Sequence, residues 1–484
     1  MFKNQYLITQ KILPFENLEI NPIEFNDLFI YAYPNLNISV AKNADSELIL
    51  IGFIIDPLNP DDSNNQIINK LAKSCETVPQ FLKEISIFSG RYVLIFKAKN
   101  DLIITGDACH LRQINFGFID NEFVIGSSLK MILKALSSEP LINKQKLNFL
   151  DNKIYLNNES AWYGEETIDE RFHKLLPNHY LDLKSHKTHR IPLHSIEHEY
   201  EEKTLEFASL ILRNTYSALT KRYQLIQPLT AGWDSRILLS ASKDSKHLIN
   251  YYVFDRSFGK SPDAWVPDNL SKLLNIDFTC INPKEIRDDF LLKYKQEHIV
   301  PRVLPKTENI QYHYDKNYHK DVVNINGNCT EIARCYYGHT NMKISLDMLL
   351  AFSGYNNKIP FFNIQIEKWF FTANQYSEEF NIPLLDLFYW EQRLGNWGAN
   401  YPFEQDIAIE EISPFNNRTL LLSILKIDPN RRKSPNYYFF EKLIRLLWSD
   451  VLLEPINPDE SFLRKFKNGN AILKYFILKS KSLI

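Results

Sequence analysis

Residues 229–236 read Leu-Thr-Ala-Gly-Trp-Asp-Ser-Arg, and this stretch constrains the fold more than any other. A largely apolar run over 223–228 precedes it and reads as a strand. Residues 237–241 follow and read as the first turns of a helix. A strand, a tight turn of small residues and a helix N-terminus make an anion site, because free backbone N–H groups and the positive end of the helix dipole converge there. Gly232 lets a ligand oxygen approach the backbone. Thr230 and Ser235 add hydroxyl donors. Asp234 would repel a phosphate unless a divalent cation lay between them. Without a ligand, the same stretch is a strand–turn–helix with an Asp at its cap.

The surrounding pattern alternates. Leu205, Ala208, Leu212 and Leu219 give residues 204–220 helical spacing. After the anion loop come a strand over 248–254, a helix over 263–274 with Pro267 in an early turn, and a strand over 277–281. Such alternation predicts a doubly wound parallel sheet that binds ligands at the carboxyl ends of its strands. A second strand, glycine turn and helix follows about a hundred residues on, in Asp321 to Arg334. Residues 384–397 and 439–447 read as helices. Glu391 and Arg393, two apart, share no helical face and read as a solvated surface rather than a cavity lining. Gly259-Lys260-Ser261 imitates the end of a Walker loop, but Phe254 stands where its first glycine is required. Asp255 reads equally as a strand-end turn residue and as a contact for a ribose or metal.

Residues 1–195 read as mostly β, with runs at 48–55, 92–96 and 102–105, turns at Asn100-Asp101 and Asp120-Asn121, and helices near 65–73 and 129–136. A polar linker over 194–202 divides this half from residues 196–484. A chain of 484 residues suits two or three domains. The net charge of -2 gives no global attraction to nucleic acid or anionic membranes. The basic tail from Arg464 to Lys481 reads as a solvated face. The five cysteines imply no disulfide framework, and Cys329, Cys335 and His339 read as packed or free groups rather than a metal site. No signal-peptide pattern and no membrane-length apolar run occurs, so the expected location is cytoplasmic.

The anion loop resembles the pyrophosphate-binding loop (PP-loop) of the asparagine synthetase family, Ser-Gly-Gly-x-Asp-Ser. Thr230 keeps the hydroxyl and Ala231 replaces the first glycine. The later stretch resembles the family's Ser-Gly-Glu-Gly-x-Asp-Glu loop, with Asn326 and Gly327 at the Ser-Gly pair and Glu331 at the metal-binding Asp. Asn328 stands at the first Glu, where an amide cannot take a proton, and Cys329 replaces the second glycine. Residues 412–418 resemble the Pro-Phe-Leu-Asp segment near the substrate pocket, with Asn416 and Asn417 in place of Leu and Asp. In the first half, Ser89-Gly90-Arg91-Tyr92, the strand ending at Asp107, Ser127-Ser128-Leu129-Lys130 and Leu175-Leu176-Pro177-Asn178-His179 resemble, in order, the family's glutamine amidotransferase domain. The glutaminase needs an N-terminal Cys, whose thiol attacks and whose α-amine is the base. Here the chain begins Met1-Phe2, and the nearest cysteine is Cys75.

The resemblance implies an α/β protein. An α+β antiparallel-sheet amidotransferase-like domain without glutaminase activity (1–195) precedes a PP-loop synthetase domain with a helical C-terminal part (196–484). It implies ATP and Mg2+ as cofactors, held by Leu229, Thr230, Ala231, Gly232, Trp233, Asp234 and Ser235, with Val253 presenting its backbone to the adenine and Asn326 and Gly327 closing over the nucleotide. Asp234 and Glu331 would share the metal and act in catalysis. The reaction implied is adenylation of a small-molecule or peptide carboxylate, followed by attack of an amine to form an amide. The late lysine that the family sets on its adenylate has Arg431, Arg432, Lys433, Lys442, Lys465 and Lys467 as candidates. Two other readings stand beside it. One is an ATP-binding scaffold without catalysis; the other is a PP-loop enzyme that adenylates a nucleic-acid base, against which the neutral charge argues. A homodimer is compatible with the sequence, although no coiled coil or repeat announces a second subunit.

Overall fold

The computed structural model describes the chain except for residues 1, 34–35, 194–199, 258, 284, 303–309, 314–320, 356–357 and 482–484. The first half carries twelve strands: β1 (Tyr6–Thr9), β2 (Ile23–Phe25), β3 (Leu28–Ala32), β4 (Ile38–Lys42), β5 (Ser46–Ile55), β6 (Ser89–Ala98), β7 (Asp101–Gly106), β8 (Asn115–Ile119), β9 (Glu122–Gly126), β10 (Phe172–Lys174), β11 (His179–Asp182) and β12 (Lys187–Arg190). They form two six-stranded sheets, ordered β10-β8-β9-β1-β3-β2 and β12-β11-β7-β6-β5-β4. Neighbouring strands run antiparallel, as where Ile49 of β5 faces Ile95 of β6 and Ile8 of β1 faces Ile30 of β3.

The period-two alternation of strand side chains explains why β5 and β6 are apolar throughout. Ile49, Ile51, Val93 and Ile95 face the other sheet and pack with Ile8, Ile30 and Ile125. Leu48, Leu50, Leu94 and Phe96 face the opposite way, under the helices Asn64–Ser74 and Val78–Glu84. The first sheet is covered by the helix Leu129–Ala135 through Leu7, Tyr31, Val124, Met131 and Ile132. The result is a helix–sheet–sheet–helix sandwich of two antiparallel sheets, in keeping with the α+β reading of this half.

The second half holds one five-stranded sheet, ordered β15-β14-β13-β16-β17, made of β13 (Gln224–Pro228), β14 (Ile249–Phe254), β15 (Phe278–Ile281), β16 (Val322–Ile325) and β17 (Glu410–Ile412). Every pairing in it is parallel, as the alternating pattern predicts. The chain builds outward from β13 through β14 to β15, then returns to place β16 on the other side of β13. The order therefore reverses between β13 and β16.

Two expectations are corrected. The polar linker is shorter than 194–202: Glu201 and Glu202 already lie in the first turn of the helix Glu201–Arg222, where their charge suits the helix dipole. Residues 194–199 lie outside the described residues. Glu391 and Arg393 are not on a solvated face. The helix Leu384–Phe388 widens into a π-helical stretch, Tyr389–Gly398, whose Glu391 is fully buried and whose Arg393 is 7% exposed. Glu391 accepts from Arg190 at 2.8 and 3.0 Å, from the Trp369 indole at 2.7 Å and from Asn178 at 3.3 Å. Arg393 lies over the Trp397 ring at 4.2 Å.

The halves are joined by buried charge. Arg91 of β6 donates to Asp406 at 2.6 and 2.8 Å and to Glu410 at 2.7 Å; Arg112 donates to both Glu410 oxygens at 2.8 and 2.9 Å. The segment likened to a substrate-pocket motif lies in the same seam. Asn416 donates to the Gly90 carbonyl at 2.7 Å and to Asp107 at 2.8 Å, and Asn417 donates to Ser89 at 3.1 Å.

Candidate functional site

The anion loop leaves β13 at the reversal point of the sheet. Leu229 is buried, and its N–H donates to the Tyr252 carbonyl at 2.8 Å, which sets the loop beside the end of β14. Val253, next in β14, pairs with Cys280 of β15. The Thr230 N–H reaches the Ser235 hydroxyl at 3.2 Å, the Gly232 N–H reaches the Thr230 hydroxyl at 3.2 Å, and the two hydroxyls lie 3.0 Å apart. These bonds hold the turn closed without a ligand. The Ala231 N–H donates to Asp263 at 3.0 Å, so a carboxylate already sits against this part of the loop. Helix Trp233–Ala241 starts directly after Gly232, which has no side chain to cap it. The first-turn N–H groups of Trp233, Asp234 and Ser235 therefore keep the electropositive end of the helix open to an anion.

Residues from far along the chain brace the loop. Arg236 is fully buried and donates to the carbonyls of Val451 at 2.7 Å, Glu454 at 2.8 Å and Pro455 at 3.0 Å. The Asn457 N–H returns a bond to the Ala231 carbonyl at 2.9 Å.

The second loop leaves the adjacent strand, β16. Asn326 is buried and tied to β17: its N–H meets the Ile412 carbonyl at 2.8 Å and its amide donates to Glu411 at 3.1 Å. Gly327 is needed for close approach, because a Cβ there would sit 2.8 Å from the Asp234 Cβ. The structure thus brings Asp234 and Glu331 into one site. Glu331 accepts from the Tyr389 hydroxyl, and burial, then the Asp234 charge, pushes its carboxyl above the usual range. The Asn328 side-chain nitrogen is buried with no hydrogen-bond partner among the described residues, a donor waiting for an acceptor.

Arg334 was not among the expected site residues. It meets Asp234 in a bidentate fork, Nε to Oδ1 at 2.9 Å and Nη2 to Oδ2 at 2.7 Å, while the Thr330 hydroxyl also donates to Oδ1. Its guanidinium lies over the Tyr437 ring at 5.3 Å, and Tyr437 packs against Trp233 at 5.0 Å. Thr330 and Arg334 stand four apart, a spacing at which two side chains on a helical turn share a face, and both reach Asp234. Lys474 was also missed. It reaches the Tyr336 carbonyl at 2.8 Å, and burial, with help from Lys467, lowers its amine to about 8.

As arranged, this donor set does not suit a divalent ion. Both Asp234 oxygens are taken by Arg334, Glu331 is engaged by Tyr389, and no group of three or more His, Cys, Asp or Glu gathers for a metal among the described residues. The other sequence candidates disperse. Arg431 and Lys442 pair with Glu201, and Arg432 is buried against Asp386. Asp255 caps its own turn through Ser257, Gly259 and Ser261. Cys329 and Cys335 are buried free thiols. A separate cavity of about 140 Å³, lined by Tyr155, Trp162, Lys174, Arg302 and Phe403 among others, includes none of the two loops' residues.

No protein-family model and no curated protein sequence matches the chain. Among solved structures, it is similar to a glutamine phosphoribosylpyrophosphate amidotransferase from B. subtilis complexed with ADP and GMP. The identity is 12%, with 69% of this chain and 71% of the other covered, and the TM-score is 0.22. A second match, described as the allosteric regulatory enzyme of purine biosynthesis, has 9% identity over 67% and 68% of the two chains and a TM-score of 0.25. Overlaps this loose carry no argument about activity. No helix among the described residues is long and apolar enough to cross a membrane.

Proposed function

We propose that the chain is an ATP-dependent ligase that activates a carboxylate as its adenylate and passes the acyl group to an amine. The observation that carries this reading is the meeting of two loops at the reversal point of the parallel sheet, one ending in an uncapped helix N-terminus, the other offering an unpartnered amide donor. On this reading the N–H groups of Trp233, Asp234 and Ser235 receive the phosphates, and the Asn328 amide donates to a ligand oxygen. The substrate carboxylate attacks the α-phosphorus, and the bond to the bridging oxygen breaks to release pyrophosphate. The amine nitrogen then attacks the acyl carbon, AMP leaves, and on this reading Glu331 takes the amine's proton. The oriented N–H groups act electrostatically, on charge that develops at the phosphate. In the first half, Asp107 is buried, bonded to Asn416 and to the N–H groups of Leu111 at 2.9 Å and Arg112 at 3.1 Å, and so serves as a brace.

One observation favours a second reading, an ATP-binding scaffold without catalysis: Asp234 is already neutralised by Arg334. Substrate-dependent ATP–pyrophosphate exchange over a panel of carboxylates separates the two. Exchange that disappears in Asp234→Ala supports the ligase. ATP binding with no exchange for any carboxylate supports the scaffold, and absence of both defeats the nucleotide reading.

A further inference from the structure

Nucleotide-activating sites built from paired carboxylates meet an electrostatic difficulty, since two acids and a polyphosphate repel one another. A divalent ion is one solution. The geometry around Asp234 offers another. Arg334 is a charge that is never lost at accessible pH. It is inserted at the place where the two loops touch, with a side chain only 11% exposed, and both Asp234 oxygens lie in its fork. The Thr330 hydroxyl donates to Asp234 and the Tyr437 ring lies against the guanidinium, so each member of the fork has its own support. Gly327 presses the second loop onto Asp234, so the fork is a fixed part of the site.

We propose that Arg334 takes the place of a divalent cation at this site, so that the loops bind the polyphosphate of a nucleotide without a protein-held metal ion. The inference rests on the nucleotide reading above and deepens it. The fork cancels the Asp234 charge in the first turn of the helix, and the guanidinium keeps N–H groups outside the fork for the anion that the helix N-terminus attracts. Arginine suits this work because its planar donors match carboxylate and phosphate together.

Two measurements test it. In the first, Mn2+ is titrated into the full chain and free Mn2+ is read by electron paramagnetic resonance. Wild type should show no site that depends on Asp234. Arg334→Ala should gain one, abolished again in the Arg334→Ala, Asp234→Asn double variant. In the second, ATP binding is measured by calorimetry with EDTA and with Mg2+. Wild-type affinity should be the same within about threefold, whereas Arg334→Ala should weaken about 10- to 100-fold in EDTA, as loss of a charged hydrogen bond predicts, and recover with Mn2+. Arg334→Lys, which keeps a charge without the fork, covers the case in which the alanine variant does not fold. An Asp234-dependent Mn2+ site in wild type, or wild-type ATP binding lost in EDTA, overturns the inference. If wild type binds no ATP in either condition, the nucleotide reading fails, and the Mn2+ titration still decides whether Asp234 is open to a metal.

Discussion

At the scale of single residues, Gly327 and His110 show how little room this chain leaves. A methyl at Gly327 would meet the Asp234 side chain, so Gly327→Ala should push the two loops apart. It should cost about 1–3 kcal/mol, the usual range for overpacking, and weaken ATP binding more than it lowers the urea midpoint. His110 is buried in the seam between the halves, its Nδ1 bonded to the Leu175 carbonyl at 3.1 Å and its Nε2 without a partner among the described residues. Burial lowers it from 6.5 to about 3. The unfolded chain therefore binds a proton that the folded chain refuses, and this part of the stability is lost as pH falls from about 6.5 to about 3, up to a ceiling on the order of 5 kcal/mol. Urea titrations across that range should show a shallower pH slope in His110→Phe than in wild type. At this scale the sequence was legible only where chemistry and turn geometry coincide. Asp234 and Glu331 stood out because each sits in a glycine turn after a strand. Arg334 did not, because its partner lies 100 residues away and nothing local announces a pairing at that separation.

Among elements, legibility followed burial. β5, β6 and β7 could be read because their apolar runs are continuous, and β13, β14 and β16 because each is followed by a turn and a helix. Short strands such as β2, β10 and β17, of three residues each, carry too few side chains for a period to show. Residues 384–397 were read as helical, but the exposed face was wrongly inferred. That inference took charged residues to mark solvent, whereas Glu391 is buried and hydrogen-bonded by Arg190, Trp369 and Asn178. Removing its carboxylate would leave Arg190 unpaired on the inside. Glu391→Ala should therefore cost about 3–5 kcal/mol, read as a lowered urea midpoint, with Glu391→Gln recovering part of the loss.

For the whole molecule, the halves are distinct in architecture and common in core. Phe53, Cys109 and Leu176 of the first half share one apolar cluster with Leu229, Cys329 and Trp390 of the second. Arg91 and Arg112, in the first half, find their acids in the second. Arg91→Ala would leave Asp406 and Glu410 short of a counter-charge in the seam and should destabilise by about 3–5 kcal/mol. Because the seam is shared, calorimetry should record one unfolding transition in wild type, and a second should emerge in this variant. The arginine-to-acid distance along the chain also imposes an order in time. Arg91 precedes Asp406 by 315 positions. A ribosome adding about 5–20 residues each second takes roughly 15–60 s to cover that span. For that interval the seam face of the sandwich lacks both its acids and the half that covers it, and water solvates the two guanidiniums. Burying the two guanidiniums therefore waits until Asp406 and Glu410 have been made and can replace that water.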